Sequence, residues 1–281
     1  MEWGGLPPPH SMLSRLWLLA PLAFGSLLDA ESGRREAPSY SAASIANAAT
    51  NLPGPLAPNT IATIYGTGLS FVTRAVLAED IHGGTLPILL VGTGVRVSIG
   101  EVPAHIYYVS PTQVNLLIPS TLAPGPAELQ LTVDGRAGPA VRIQLSAAAP
   151  ALFSWSERWI VACRPDGSRV SQEQPARPGD LVILYATGLG RTIPNPHSGE
   201  LPAQAAVLER LSEFQVLLDG APVGPDRIAY AGVAPGFAGL YQINLRLPDA
   251  LPPNPEVRLR LGDEISPAGR AIPVQNRDSN K

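Results

Sequence analysis

The string Gln113-Val114-Asn115-Leu116-Leu117-Ile118-Pro119 returns later as Gln242-Ile243-Asn244-Leu245-Arg246-Leu247-Pro248. Read with a period of two, the second copy and the Tyr241 before it put Tyr241, Ile243, Leu245 and Leu247 on one face. Gln242, Asn244 and Arg246 fall on the other, the pattern of a half-buried strand. Pro248 ends it, because proline has no amide hydrogen to donate to a ladder. A string repeated inside a fixed order of neighbours means that one supersecondary plan is used twice.

The rest of the chain obeys the same plan. Ile45 to Ala49 reads as a short first strand, and Thr60 to Tyr65 as a second, bounded by Ala57-Pro58-Asn59 and Gly66-Thr67-Gly68. Phe71 to Leu90 reads as a long loop. Val95, Val97 and Ile99 alternate with polar residues, and Ile106, Tyr108 and the Gln113 string are expected to continue that sheet. Leu129, Leu131 and Val133 run into Asp134-Gly135 and return as Val141, Ile143 and Leu145, a strong hairpin signal. After the seam Ala147-Ala148-Ala149-Pro150, Arg177 to Gly190 answers Ala57 to Ser70, with Tyr185 and Gly188 in the places of Tyr65 and Gly68. Phe214 to Leu218 answers Val95 to Ile99, and Ile228-Ala229-Tyr230 answers Ile106-Tyr107-Tyr108. Val257, Leu259 and Leu261 alternate in turn, and Ile272 to Val274 close the copy. The second copy holds more chain between its Tyr and its Gln, and Ala234 to Gly239 accounts for part of it.

Thirty-one prolines and 27 glycines scattered between apolar runs leave no room for long helices. The expected fold is therefore all-β: two tandem immunoglobulin-like β-sandwich domains, at residues 44–147 and 148–276, joined by a short stiff seam because Pro150 holds the residue before it extended. A tail follows at 277–281. At the N-terminus Arg15, the apolar run Leu16 to Leu28 and small residues at Gly25 and Ala30 read as an export signal over 1–30, with Met1 or Met12 as start; a buried N-terminal helix or an uncleaved anchor is the alternative. The run is shorter than the ~20 apolar residues of a spanning helix, so no transmembrane helix is expected after cleavage. Residues 31–43 read as a flexible leader. Cys163 is the one cysteine and so forms no internal disulfide. A net charge of −3 lacks the basic footprint of a nucleic-acid binder.

These blocks, taken together as Asn47 to Ala49, Pro58 to Leu69, Tyr107 to Asn115, Ala149 to Phe153, Pro175 to Gly179, Tyr185 to Gly190 and Ala231 to Asn244, resemble an uncharacterised bacterial family. Its members usually form the C-terminal region of large secreted or surface proteins, and its halves are similar to IPT/TIG-type immunoglobulin-like domains. The resemblance implies a fold and an exported compartment, extracellular, at the cell surface or periplasmic; it brings no established activity. Here the module fills nearly the whole exported chain, which departs from the family's usual setting.

Motifs for chemistry are sparse. Gly66-Thr67-Gly68 and Gly188-Leu189-Gly190 lack the Lys of a phosphate loop and the third Gly of a dinucleotide fingerprint, so they read as turns. There is no Gly-x-Ser-x-Gly elbow and no His-Glu-x-x-His. His197-Ser198-Gly199-Glu200 clusters in sequence only, and Asp134, Asp166 and Asp219 precede glycines as turn formers. No catalytic residue, metal ligand or cofactor is expected. The carboxamides of Gln113 and Asn115, and of Gln242 and Asn244, are expected to satisfy a neighbouring loop's backbone; sugar hydroxyls are the alternative partner. Trp155 and Trp159, with Phe153, either plug the seam or offer rings to a sugar or protein. Contact residues for an unknown protein or glycan are then Trp155, Trp159, Gln242, Asn244 and Arg246, while Tyr65, Gly68, Gln113, Asn115, Tyr185, Gly188, Gln242 and Asn244 mark the repeat. The expected role is a non-catalytic binding, adhesion or spacer module; a carbohydrate-binding module is the alternative, and a hydrolase a weaker one.

Overall fold

The computed structural model describes residues 36–275. The signal at 1–30 and the tail at 277–281 lie outside the described residues. What is described is all-β, and its helical turns are single 3-10 turns such as Ala42–Ser44 and Pro225–Arg227.

The first half contributes β1 (Ile45–Asn47), β2 (Ile61–Tyr65), β3 (Val95–Ile99), β4 (His105–Val109), β5 (Gln113–Leu117), β6 (Gly125–Val133) and β7 (Val141–Leu145). One sheet has the order β1-β2-β5-β4, extended by the short pairs Leu52–Pro53 and Arg74–Ala75 at its edges. Strands β3, β6 and β7 form the facing sheet. A 1-2-5-4 layer against a 3-6-7 layer is the strand order of an immunoglobulin sandwich. Strand β4 therefore does not continue the sheet of β3, as its alternation suggested, but crosses to the opposite layer.

The second half repeats this with β8 (Ala151–Leu152), β9 (Leu181–Thr187), β10 (Phe214–Leu218), β11 (Ile228–Val233), β12 (Tyr241–Arg246) and β13 (Val257–Leu261). Its first layer is β8-β9-β12-β11 and its second is built on β10-β13. Ile272 to Val274 do not form a full seventh strand; Ala271 bridges Glu256, and Val274 bridges Ala176.

The duplication holds at the level of single bonds. Tyr65 faces Gln113 across β2-β5, and Tyr185 faces Gln242 across β9-β12. Leu56 makes a parallel bridge to Leu145, and its counterpart Ala176 makes one to Val274. Both copies carry a bulge at the same point, between Ile106 and Tyr108 and between Ile228 and Tyr230. The turn of Ala57 to Thr60 is closed by the Thr60 hydroxyl accepting the Ala57 N–H at 3.0 Å, and that of Arg177 to Asp180 by the Asp180 carboxylate accepting the Arg177 N–H at 2.9 Å.

Inward-facing residues of the two layers fill a separate core in each half. Ala62, Ile64, Val97, Val114, Leu116 and Leu131 meet in the first; Val182, Leu184, Val216, Tyr241, Ile243 and Leu259 meet in the second. The leader expected over 31–43 is shorter than the sequence suggested. Tyr40 lies in the first core, its hydroxyl oxygen accepting the Leu131 N–H at 2.7 Å, and Ser39 bridges Thr67. A single aromatic anchor within a polar stretch leaves no periodic signal, so the stretch read as loose.

Candidate functional site

A third apolar cluster lies between the sandwiches and determines where a site can form. From the first half it takes Ala49, Ile61, Leu86, Tyr107 and Leu117; from the second, Phe153, Cys163, Ile183, Tyr185, Ala238 and Leu240. The layers thus meet through the faces that point away from their own cores. Buried polar bonds fix the junction. The Thr187 hydroxyl accepts the Ile61 N–H at 2.9 Å and donates to the Gly239 carbonyl at 2.8 Å. The Tyr107 hydroxyl donates to the Ala238 carbonyl at 2.5 Å. At a second contact Leu86 N–H donates to the Gly199 carbonyl, and Leu201 N–H to the Gly84 carbonyl. The extra loop Ala234 to Gly239 is the segment that reaches across.

This junction explains why the repeated carboxamides are not on a wet face. Gln242 is 0% exposed and Asn244 8%, so the strand that alternation marked as half-buried is covered on both sides. Nor do the pairs satisfy a neighbouring loop's backbone, as expected. Each bonds within itself: Gln113 Nε2 donates to Asn115 Oδ1 at 2.9 Å, and Gln242 Nε2 donates to Asn244 Oδ1 at 2.7 Å. Thr63 Oγ1 also donates to Asn115 Oδ1, at 3.1 Å.

The two pairs differ in access. Around Gln242 the packing is closed, and its Oε1 is buried without a hydrogen bond. Beside Gln113 and Asn115 there is a cleft of about 50 Å³. Thr63 and Asn51 share its polar side; Phe153 and Phe237 supply aromatic wall, and Ala48, Ile61 and Leu240 supply aliphatic wall. The Tyr65 hydroxyl donates to Asn51 Oδ1 at 2.9 Å, which steadies that edge. Sequence reading chose Gln242 and Asn244 as contact residues and left Gln113 and Asn115 as repeat markers; in the structure Gln242 is fully buried, and the pair beside the cleft is Gln113 and Asn115. No local pattern distinguishes the two, since the cover comes from residues more than a hundred positions away.

The other expected contact residues scatter. Trp155 is partly buried against the third cluster, with the Arg169 guanidinium 5.7 Å from its ring centre, and so sits at the seam. Trp159 is buried, and Arg158 lies 4.7 Å over its ring, so its face is not offered to a ligand. Arg246 is exposed and donates to the Gly179 carbonyl at 3.2 Å. Gly68 and Gly188 hold positive φ as turn residues.

Groups suited to chemistry are occupied structurally. The Glu200 carboxylate accepts the His197 N–H at 2.8 Å, closing the loop that docks on the first half. His105 Nδ1 donates to the Leu86 carbonyl at 2.6 Å, and burial holds its pKa below the ordinary imidazole value. Burial pushes the Cys163 thiol up to about 12, far from the thiolate that a nucleophile needs. Tyr107 and Tyr185 are likewise raised by burial. Among the described residues no group of three or more His, Cys, Asp or Glu could hold a metal ion, and no helix is long and apolar enough to cross a membrane.

No family model matches the chain, and no curated protein is significantly similar to it. Several solved structures are similar in outline. The Bacteroides ovatus mixed-linkage glucan utilization locus SGBP-B, solved with a mixed-linkage heptasaccharide, is 12% identical over 79% of this chain and 43% of its own, with a TM-score of 0.32. Surface glycan-binding protein PbSGBP-B from Prevotella bryantii is 8% identical over 72% of this chain and 34% of its own, at a TM-score of 0.23. Domains 5-6 of the S-layer protein SbsC are 8% identical over 85% of this chain and 99% of theirs, at 0.27. This chain spans less than half the length of the two glycan-binding proteins.

Proposed function

We propose that the chain is an exported, non-catalytic binding module whose two sandwiches act as one rigid body at the cell surface or outside the cell. The observation that supports this reading is the third cluster, in which Ile61, Tyr107 and Leu117 of one half pack on Phe153, Ala238 and Leu240 of the other. Domains that need to move relative to each other are joined by small, polar interfaces; an apolar interface with buried hydrogen bonds holds one orientation. A fixed pair of sandwiches suits presentation of a surface at a set distance and angle.

Fractionation of the native cells, followed by affinity capture of surface material with the purified chain, tests the proposal. Recovery outside the cytoplasm together with retention of a surface component supports it. Turnover of a glycan, ester or peptide substrate that vanishes on a single substitution overturns the non-catalytic part, and residence in the cytosol overturns the rest.

A further inference from the structure

We infer that the cleft beside Gln113 and Asn115 is a subsite for the hydroxyl-bearing edge of a neutral saccharide, which deepens the binding-module reading above and rests on it. The polar side of the cleft is built and oriented. Asn115 Oδ1 already accepts two hydrogen bonds, from Gln113 Nε2 and Thr63 Oγ1, so both carboxamides are held in one orientation. The remaining atoms are Gln113 Oε1, an acceptor, and Asn115 Nδ2, a donor, and among the described residues neither has a hydrogen-bond partner. Gln113 is 7% exposed and Asn115 5%, and both line the cleft. A fixed acceptor next to a fixed donor matches neighbouring hydroxyls, each of which can give one hydrogen bond and take another.

The sister pair makes the contrast. Gln242 and Asn244 form the same internal bond at 2.7 Å with Gln242 0% exposed and neither residue lining a cleft of this kind, so the structural role of the motif needs no opening. The opening in the first copy is an addition to that role.

Shape and charge select the ligand class. Among the described residues no Asp, Glu, Lys, Arg or His lines the cleft, so an ionic ligand entering it would lose its hydration with no countercharge. Phe153 and Phe237 face a ligand that has an apolar side, as a pyranose ring has where its C–H bonds align. The volume of about 50 Å³ admits small polar groups, not a whole ring, since one water needs about 10–15 Å³. The sugar edge enters and the ring rests at the mouth on the aromatic wall.

The test is calorimetric titration of the full chain with short neutral glucan, mannan and galactan oligosaccharides, and with uronic-acid oligosaccharides as the charged comparison. We expect one neutral series to bind and the acidic series not to. Gln113→Ala should weaken that binding about tenfold or more by removing the oriented acceptor. Ser154→Trp, which leaves both carboxamides in place and fills the mouth, should abolish it, and it decides the matter if Gln113→Ala does not fold. Arg96→Ala, at an exposed position of β3 in the facing layer and not lining the cleft, should bind as the parent does. Silence across the neutral series, preference for the acidic series, or binding that survives Ser154→Trp overturns the inference. If the sugars fail while surface material is still captured, the ligand class falls and the binding-module reading stands; if both fail, both fall.

Discussion

Replacing Gly239 by alanine probes the junction at its tightest point. Gly239 has φ +71, and a Cβ there would lie 2.4 Å from Leu117 Cδ1, 2.7 Å from the Asn59 carbonyl and 3.0 Å from Ile61 Cγ1, all across the junction. Two costs combine. Holding a residue with a side chain in the left-handed region costs about 1–2 kcal/mol, and pushing a methyl into a packed interface costs about 1–3 kcal/mol, so the sum is about 2–5 kcal/mol. The Leu117 side chain can give way, but Asn59 is backbone and itself held at φ 61, so relief requires the loop to withdraw. Withdrawal would loosen the Thr187 and Tyr107 bonds to Gly239 and Ala238. Gly236→Ala is the matched control. It lies in the same loop at φ +82, yet a Cβ there meets nothing within 4 Å. It carries the backbone cost alone, so the difference between the variants isolates the clash, about 1–3 kcal/mol. In scanning calorimetry the parent should unfold as one coupled unit. Gly239→Ala should separate the halves into two transitions, the lower displaced by roughly 4–20 °C at 2–4 °C per kcal/mol. Equal melting for the two variants, each in a single transition, would refute a junction that couples the sandwiches.

Other consequences are direct. Tyr40→Ala should cost about 3–5 kcal/mol in denaturant unfolding, because it empties a core position and leaves the Leu131 N–H unpaired; an unchanged midpoint would return Ser39 to Ser44 to a loose leader. Cys163 should stay unlabelled by a thiol reagent until the chain unfolds, since its thiol is raised to about 12 and buried; prompt labelling of the native protein would show access from solvent. His105 is held neutral by burial, so its folded pKa lies below 6.5. Between that pKa and 6.5 the unfolded chain binds more protons, and stability is full above 6.5 and lost as pH falls through this window. A melting temperature that rises on acidification in this range, or the same pH slope in His105→Gln, would contradict the assignment.

Period two was enough to find the strands whose cover is local. Val95 to Ile99 and Gly125 to Val133 alternate in burial as they alternate in polarity, because one side meets its own sandwich and the other meets water. The same rule misread β5 and β12, where the second side meets the other domain. Each pair shares one internal hydrogen bond, from Gln113 to Asn115 and from Gln242 to Asn244, which offsets part of the cost of burying the carboxamides, while Gln242 Oε1 stays unpaired. Tyr107 was missed for a related reason. It lies on the face opposite Ile106, which fills the first core, so alternation marks that face as wet, and the other domain covers it; the bulge then lets Val109 return to the core.

The asymmetry of the two carboxamide pairs follows from how a duplicated unit packs on itself. Both halves turn the same type of layer toward the junction, but they are unequal: the second half carries the longer β11-β12 loop and the Phe153 to Val161 hairpin. Phe153, Phe237, Ala238 and Leu240 therefore approach the first layer from one side only, covering Ile61 and Leu117 while stopping short of Gln113 and Asn115. No equivalent loop of the first half limits the packing over Gln242 in that way. With the short loop in both copies, the cleft would lack Phe237 and keep only Phe153 of its aromatic wall. Shortening Ala234 to Gly239 to the length of Ser110 to Thr112 should therefore remove the coupling between sandwiches and the cleft in one step, leaving each core intact. A shortened chain that still melts as one unit would place the coupling elsewhere, at the Leu86 and Gly199 contact.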